Sequence, residues 1–345
     1  MIVTVTPNPS IDRTVTLPAQ LVRGAVHRVQ SVSTEPGGKG VNVARALTLA
    51  GLDTVAVLPA NERDPILAAL ESHGVAFYAV PIAGAVRTNL TITESDGTTT
   101  KINEPGAAID AAALDALTAA IIERAESAAW VVLSGSLPPG MPDSWYADVV
   151  ARLQPYDCKV AVDTSDAPLA ALAAGFDRAA PDLIKPNSEE LAGLAGVSAE
   201  SLEAALAQGD PEPVVTAAQR LIDRGARTVL ATLGAAGAVL VNDTGSWLAT
   251  PPPIKPKSTV GAGDSSLAGY VRADVGGAQA PQRLQMAVAY GSAAAALPGS
   301  ALPSPAQIDL DEVSVVSISP YPTGSRPNPA SPTGSKPTPA SPTRP

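Results

Sequence analysis

Glycines run directly into a predicted helix at Gly261-Ala262-Gly263-Asp264. Such a turn points the unpaired N–H groups of the helix start, and the positive end of its dipole, at one spot. This arrangement suits a polyphosphate whose negative charge increases during transfer. Asp264 would lie at the mouth of this anion hole, where a carboxylate can accept the proton of an attacking hydroxyl. The alternative is that Asp264 only caps the helix and the glycines form a tight turn.

A second glycine loop, Gly37-Gly38-Lys39-Gly40, also precedes a predicted helix and contains a lysine. It predicts a second anion site, so that one loop would serve a nucleotide phosphate and the other a sugar phosphate. The alternative is a flexible hinge in which Lys39 is solvated.

Two common nucleotide-binding patterns are missing from the sequence. No Gly-x-x-x-x-Gly-Lys-Ser/Thr occurs, so a P-loop is unsupported. Residues 37–40 do not satisfy the Gly-x-Gly-x-x-Gly pattern of dinucleotide-binding folds either. A dinucleotide-dependent oxidoreductase is therefore a poor interpretation of the glycine loops.

Composition restricts the ligands further. The chain of 345 residues is 45% hydrophobic, which is enough for a large core, and its net charge of -10 disfavours nucleic-acid or acidic-membrane partners. One cysteine, Cys158, and two histidines argue against zinc binding and Cys/His catalysis. The N-terminus lacks the pattern of a signal peptide and no segment has transmembrane character, so a cytoplasmic location is expected.

Short β-rich runs alternate with Ala/Leu-rich helical patterns, which is typical of an α/β fold with a mostly parallel central sheet flanked by helices. The predicted strands are residues 1–6, 54–58, 130–133, 160–163, 183–185 and 228–232. The predicted helices are residues 41–50, 64–72, 111–125, 213–224, 264–274 and 280–296.

Three segments interrupt this alternation. Residues 13–32 and 87–103, the second with a hairpin pattern around Asp96-Gly97, predict a small β layer. We interpret this layer as a lid over a ligand site, with an edge extension of the main sheet as the alternative. Residues 319–345 are a repeated Pro/Ser/Thr/Gly sequence and predict a disordered tail, which leaves a main domain of residues 1–318.

Several motifs, in a characteristic order, resemble those of ribokinase-like (phosphofructokinase B) sugar kinases. The most distinctive are Asn8-Pro9-Ser10-Ile11-Asp12 and Gly37-Gly38-Lys39-Gly40-Val41-Asn42. The others lie at residues 87–89, 102–106, 133–140, 162–165, 184–191, 233–237 and 261–264. The similarity spans about residues 1–316 and is greatest to the branch of 1-phosphofructokinases and tagatose-6-phosphate kinases. It implies a ribokinase-like fold with ATP and Mg²⁺ as cofactors.

The resemblance also implies roles for individual residues. Asp264 would be the catalytic base, and the anion hole would be Gly261, Ala262 and Gly263. The sugar phosphate would contact Asp12, Gly38, Lys39, Asn42 and Arg87. The nucleotide would contact Lys185, Asn187, Thr232, Gly234 and Gly237. Mg²⁺ would be held by Glu190 and, through water, by Asn187, although both residues could also cap a helix.

The expected activity is phosphorylation of a ketohexose phosphate, with fructose 1-phosphate giving fructose 1,6-bisphosphate as the first choice. Tagatose 6-phosphate and fructose 6-phosphate are the rival substrates, because a few pocket side chains decide between them. A non-catalytic sugar-phosphate-binding regulator is the alternative of another class, and the intact Asp264 argues against it. The lid would offer a surface for a homodimer. The chain departs from the family pattern at Asp166, where glycine is common, and at Ser266, where a larger apolar residue is frequent.

Overall fold

The computed structural model describes residues 1–319, and its strands form two sheets. The strands are β1 Ile2–Val5, β2 Ser10–Thr16, β3 Ser31–Gly37, β4 Thr54–Ala60, β5 Ala76–Pro81, β6 Arg87–Thr93, β7 Thr99–Asn103, β8 Trp130–Ser134, β9 Lys159–Asp163, β10 Leu183–Ile184, β11 Thr228–Thr232, β12 Ala238–Asn242, β13 Gly245–Thr250 and β14 Ser314–Ser319. The α-helices are α1 Lys39–Leu49, α2 Pro65–Ser72, α3 Ala111–Ala125, α4 Trp145–Leu153, α5 Asp166–Ala174, α6 Ser188–Ala195, α7 Ala199–Ala207, α8 Glu212–Asp223, α9 Ala262–Val275 and α10 Ala280–Ala295.

The large sheet has the order β14-β13-β12-β11-β10-β9-β8-β1-β4-β5. The strands from β11 to β5 are parallel to their neighbours, and β12 to β14 are antiparallel at one edge. The chain places β4 and β5 on one side of β1, and β8 to β11 on the other. In open α/β sheets, ligands bind outside the carboxyl ends of the strands where the order reverses in this way.

Alternate residues of the central strands face different helical layers, as the period of two requires. Val3 and Val5 pack in one core with residues of α3 to α8. Ile2 packs in a second core with residues of α1, α9 and α10. The sheet is therefore buried on both faces, which holds its carboxyl edge rigidly between the starts of several helices.

The predicted alternation of strands and helices is confirmed, with differences at the ends. The strand at residues 228–232 has the predicted bounds, whereas α1 and α9 begin two residues earlier than predicted, at Lys39 and Ala262. Their glycines lie in the first helical turn, where the N–H groups need no intrahelical partner. The helix starts therefore extend into the glycine loops that carry the predicted chemistry.

The second sheet has four strands in the order β3-β2-β6-β7. β6 and β7 are antiparallel and form the hairpin predicted around Asp96-Gly97. Residues 17–30 of the predicted 13–32 layer contain no strand, and β2 begins earlier, at Ser10. These strands form a sheet of their own and do not extend the large one. Its function as a lid stays a prediction.

The predicted tail at residues 319–345 lies outside the described residues, apart from Ser319 at the end of β14. In residues 1–319 the helices are all too short or too polar to cross a bilayer.

The unusual residue Asp166 has a structural explanation. It is the first residue of α5, and within residues 1–319 it alone among non-glycine residues has a positive φ, of 56°. A Cβ is unfavourable in this left-handed region, which explains why glycine suits the position. The Asp166 carboxylate also accepts a hydrogen bond from Ser165 Oγ at 2.8 Å, the kind of local contact that helps aspartate tolerate this conformation.

We expect Asp166→Gly to be more stable than Asp166→Ala by roughly 1 kcal/mol, because both lose the carboxylate and only alanine keeps a Cβ at positive φ. Chemical denaturation of the two variants measures this difference, provided that their free energies of unfolding depend equally on the denaturant concentration. Equal free energies of unfolding would show that the left-handed conformation relaxes when aspartate is removed.

Candidate active site

The predicted catalytic residue, Asp264, lies in the first turn of α9 and is buried, with 6% of its surface exposed. The turn before it depends on Gly261, whose φ of 76° is left-handed and favours glycine. Asn42 of α1 donates a hydrogen bond from Nδ2 to Asp264 Oδ2 at 2.8 Å. The carboxylate is thus held at the start of one helix by a side chain from another.

Burial raises the pKa of Asp264 to about 6, and the negative charge of Asp163 acts in the same direction. The charges of Lys39 and Lys185, and the hydrogen bond from Asn42, oppose this increase. A carboxylate whose pKa lies near neutrality is ionised at pH 7 and still accepts a proton more readily than an exposed aspartate.

Asp163, at the carboxyl end of β9, connects the two lysines of the site. Its Oδ1 lies 2.9 Å from Lys39 Nζ and its Oδ2 lies 3.2 Å from Lys185 Nζ. Burial alone would raise the pKa of Asp163, but the charges of Lys185 and Lys39 hold it below its usual value. Lys39 has a pKa above its ordinary value, since Asp163 and Asp264 outweigh the effect of its own burial.

Lys185 lies beside the glycine turn of α9. A methyl group built on Gly263 would come within 3.2 Å of Lys185 Nζ. Lys185 is buried, with 5% exposed. The predicted anion hole at residues 261–263 therefore has a fixed cation next to it, in addition to its helix-start amides.

A second polar group lies on one face of the small sheet. Ser10 and Asp12 of β2 stand directly opposite Arg87 and Asn89 of β6. Asn89 Nδ2 donates to Asp12 Oδ1 at 3.0 Å and to Ser10 Oγ at 3.1 Å. Burial lowers the pKa of Arg87, and the nearby charge of Asp12 opposes this. Arg87 Nε is buried and has no hydrogen-bond partner within residues 1–319.

Asn187 and Glu190 form a capping box at the start of α6. Asn187 Oδ1 accepts from the Glu190 N–H, and Glu190 Oε2 accepts from the Asn187 N–H, both at 2.8 Å. Burial raises the pKa of Glu190, although the Asn187 N–H and the charge of Lys39 oppose it. The capping alternative weighed for these residues is thus confirmed.

The predicted nucleotide residues lie next to this cap. Asn187 forms an isolated parallel bridge with Thr232, whose N–H donates to Pro186 O at 3.0 Å. Gly234 begins a short 3₁₀ turn, and the Leu233 N–H donates a hydrogen bond across this turn to Gly237 O at 2.8 Å. The segments around residues 187 and 232 therefore border the same carboxyl edge of the large sheet.

The predicted sugar-phosphate residues divide into two groups. Lys39 and Asn42 lie with Asp163 and Asp264 at the carboxyl edge of the large sheet, whereas Asp12 and Arg87 lie on the small sheet. Gly38 separates the two, because it lies between the end of β3 and the start of α1.

Three polar residues at the site, Ser10, Asn89 and Asp163, were not predicted from the sequence. Asp163 had a usable signal, as a carboxylate directly after a buried strand within the motif at residues 162–165. Ser10 and Asn89 also lie within recognised motifs, and their alternation with Asp12 and Arg87 along strands places all four on one face. Within residues 1–319, no three His, Cys, Asp or Glu side chains group closely enough to form a complete metal cage.

Residues 5–307 match the pfkB family carbohydrate kinase profile. The chain belongs to this family. A 1-phosphofructokinase of Xanthomonas campestris is 36% identical over 79% of this chain and 83% of its own length. A 1-phosphofructokinase of Rhodobacter capsulatus is 35% identical over 89% of this chain and 94% of its own.

Solved pfkB-type structures have the same fold. The phosphofructokinase-2 of Escherichia coli, in complex with substrates and products, superposes with a TM-score of 0.80 at 30% identity. The match covers 89% of this chain and 96% of that one. The family resemblance and the ribokinase-like fold predicted from the motifs are confirmed for this carbohydrate kinase.

The raised pKa of Asp264 predicts that this kinase is less stable at neutral pH than it would be without the carboxylate. Between the ordinary pKa of 3.8 and the folded value of about 6, the folded state binds the proton more tightly, so stability falls as the pH rises. We expect Asp264→Asn to increase the free energy of unfolding at pH 7 by on the order of 2 kcal/mol.

This gain should disappear near pH 4, where the aspartate is protonated in the folded state and close to its pKa in the unfolded state. Denaturation of both proteins from pH 4 to pH 8 measures the difference. A gain independent of pH would contradict the assigned cause, and Asp309→Asn, in an exposed loop, controls for loss of net charge.

Proposed function

We propose that this protein is an ATP-dependent 1-phosphofructokinase, which converts fructose 1-phosphate to fructose 1,6-bisphosphate. The observation that carries the proposal is the buried Asp264 at a helix start, beside the Lys39–Asp163–Lys185 group. The names of the Xanthomonas and Rhodobacter relatives support the choice of substrate.

In the proposed reaction, Asp264 accepts the proton of the free primary hydroxyl of the sugar phosphate. The hydroxyl oxygen forms a bond to the γ-phosphorus as the bond to the β–γ bridging oxygen breaks, and ADP leaves. Asn42 binds Oδ2 of Asp264, which orients the carboxylate towards the hydroxyl. The N–H groups of Gly263 and its neighbours at the start of α9 stabilise the charge on the transferred group.

The two lysines have different positions relative to this step. Lys185 is fixed beside the glycine turn, where it would bind the phosphates of the nucleotide. Lys39 pairs with Asp163 and also interacts with the charge of Asp264, and so would contact the phosphoryl group in transit. Asp163 holds both ammonium groups in place, so that they need not reorganise during the reaction.

Glu190 and Asn187 offer carboxylate and amide oxygens at the edge of the site, and this chemistry fits Mg²⁺ held largely through water. Their capping hydrogen bonds do not prevent this, because each oxygen has further lone pairs and Glu190 has a second carboxylate oxygen. The ion would supply positive charge to the nucleotide phosphates.

The phosphate already on the substrate would bind to Arg87 on the small sheet. A partly buried guanidinium offers Nη–H groups suited to charge-assisted hydrogen bonds with a phosphate dianion. Asp12, beside it, would accept hydrogen bonds from sugar hydroxyls.

Fructose 6-phosphate is the second candidate substrate. A structure of E. coli phosphofructokinase-2 in complex with fructose-6-phosphate superposes with a TM-score of 0.76 at 30% identity. The small sheet would also provide a homodimer surface, which its exposed Val32 and Ile102 favour. A cytoplasmic location would fit the proposed use of ATP.

A substrate panel tests the proposal directly. With ATP and Mg²⁺, we expect kcat/KM to be highest for fructose 1-phosphate, compared with fructose 6-phosphate, tagatose 6-phosphate and unphosphorylated fructose.

Asp264→Asn should lower turnover at least about a hundredfold while the substrates still bind. Turnover of the unmodified protein should fall as the pH drops below about 6, where Asp264 is protonated. Binding of sugar phosphates without ADP formation would instead indicate the regulator.

The division between Arg87 and Lys39 gives a second test. Arg87→Ala should raise the KM for fructose 1-phosphate about tenfold or more and leave the KM for ATP unchanged, because it removes a charged phosphate contact. Lys39→Met should mainly lower kcat. The control is Arg13→Ala, an exposed arginine next to Asp12 in sequence and therefore on the opposite face of β2.

Loss of ATP affinity in Arg87→Ala would mean that the small sheet binds the nucleotide phosphate and the start of α9 binds the sugar phosphate. If Lys39→Met raised only the KM for fructose 1-phosphate, Lys39 would instead bind the phosphate already on the substrate, as the motif resemblance implied.

A further inference from the structure

A single residue, Gly38, separates the small sheet from the helix that reaches the catalytic base. β3 ends at Gly37 and α1 begins at Lys39. Gly38 has a φ of 105°, so the chain turns sharply there in a conformation that favours glycine. A change of angle at this residue would move the small sheet relative to Lys39 and therefore relative to Asp163 and Asp264.

Arg45 of α1 makes contacts that cross this turn. Its Nη2 lies 2.5 Å from Glu35 Oε2, and its Nη1 donates to Pro36 O at 3.1 Å. Both partners belong to β3. Lys39, Asn42 and Arg45 are each three positions apart on α1, so each lies beside the next, and the helix contacts Asp163, Asp264 and β3 through successive residues.

Glu35 connects Arg45 to the substrate face of the small sheet. In the β2–β3 register Glu35 stands opposite Asp12, and opposed residues lie on the same face of a sheet. Asp12 in turn bonds to Asn89 and stands near Arg87. The contact of Arg45 with Glu35 is therefore made on the face that carries the groups assigned to the sugar phosphate.

The guanidinium of Arg45 is buried, with 7% of its side chain exposed. Burial lowers its pKa, which the charges of Glu35 and Asp12 oppose. His73 Nε2 also lies 3.1 Å from Glu35 Oε2, so β3 is held from α1 and from the end of α2. Desolvation offsets much of the attraction in a buried ion pair, so this one contributes little net stability, whereas its directional contacts specify geometry.

We propose that Arg45 is a positioning residue, which fixes the angle at Gly38 through Glu35 and Pro36 and so aligns the bound sugar phosphate with Asp264. This inference rests on the proposed function, because the alignment matters only if a substrate spans the two sheets. Arg45 itself contacts none of the reacting groups.

The kinetic test uses Glu35→Gln, Arg45→Lys, Arg45→Met and the double variant Glu35→Gln/Arg45→Met. In each, we expect kcat/KM for fructose 1-phosphate to fall about tenfold or more, because small misplacements of a substrate have large effects on rate. The KM for ATP should not change, and a larger share of ATP should be hydrolysed without sugar product. The double variant should lose no more than Arg45→Met, since both changes break one contact.

Arg283→Met is the matched control. Arg283 also pairs with one carboxylate, Asp274 at 2.9 Å, and donates to one backbone carbonyl, Ala278 O at 2.7 Å. Its partner Asp274 also accepts a hydrogen bond from Trp130 Nε1, and Trp130 is the first residue of β8. The Arg283–Asp274 pair therefore lies at the opposite edge of the large sheet. Loss of an ion pair alone should therefore affect stability in this variant and leave kcat/KM unchanged.

Hydrogen exchange gives a readout that needs no activity. In Glu35→Gln and Arg45→Met, the amides of β2 and β3 should exchange about tenfold faster, whereas those of β8 and β9 should not change. Arg283→Met should leave β2 and β3 as in the unmodified protein. Glu35 is partly exposed, so Glu35→Gln is expected to fold even if Arg45→Met does not.

Unchanged kcat/KM in Glu35→Gln and Arg45→Lys, with unchanged exchange in Glu35→Gln, would overturn the proposal, as would equal kinetic losses in Arg283→Met. If the unmodified protein phosphorylates none of the ketose phosphates, the proposed function fails. The exchange rates of β2 and β3 would then still decide whether Arg45 fixes the turn at Gly38.

Discussion

Two carboxylates, Asp163 and Asp264, are buried at the same edge of the large sheet, and the groups around them determine how their mutual repulsion is compensated. Asp163 is compensated by Lys39 and Lys185 and stays ionised. Within residues 1–319, Asp264 accepts one side-chain hydrogen bond, from Asn42, and has only the more distant charges of the same lysines, so burial raises its pKa towards neutrality. One carboxylate is thus suited to anchor cations and the other to accept a proton, because their partners differ.

The topology explains how so many chain segments reach this edge. Parallel strands all end there, so Asp163 and Lys185 lie at the ends of neighbouring strands, and α1 and α9, which return from the edge, carry Lys39 and Asp264 in their first turns. β2 and β3 are inserted after β1, and β6 and β7 after β5. Both insertions leave from the carboxyl ends of parallel strands, which is why the small sheet stands beside the site and not at the opposite edge.

Much of this arrangement could be predicted from the sequence, because the strongest signals are local. Glycines before an apolar run predicted that α1 and α9 start near these loops. The aspartate that follows the second glycine turn, Asp264, was predicted to be the catalytic base. The partners could not be predicted, since 124 residues separate Lys39 from Asp163 and 222 separate Asn42 from Asp264. No spacing rule connects such positions. The antiparallel edge formed by β12 to β14 was missed, since its short apolar runs resemble buried helix segments as much as strands.

Asn187 and Glu190 illustrate a different limit. Capping and cation binding require the same residue types at the same spacing, so the pattern alone could not separate them. The structure shows the capping box, and the remaining oxygen of Glu190 leaves the second role open to it as well. A motif with two physical explanations can therefore satisfy both.

The two proposed anion-binding groups lie apart, with Arg87 on the small sheet and the start of α9 at the edge of the large sheet, and this separation has an energetic consequence. A phosphate bound by Arg87 on the small sheet and a polyphosphate bound at the start of α9 would be joined by one substrate that spans both sheets. Binding energy from the resident phosphate, which does not react, could then be used to hold the small sheet over Asp264 and exclude water. Excluding water would further raise the pKa of the buried carboxylate and strengthen every charge interaction in the site. A ketose without a phosphate would lack the group that couples the sheets, so discrimination against it would be expressed in kcat as well as in KM.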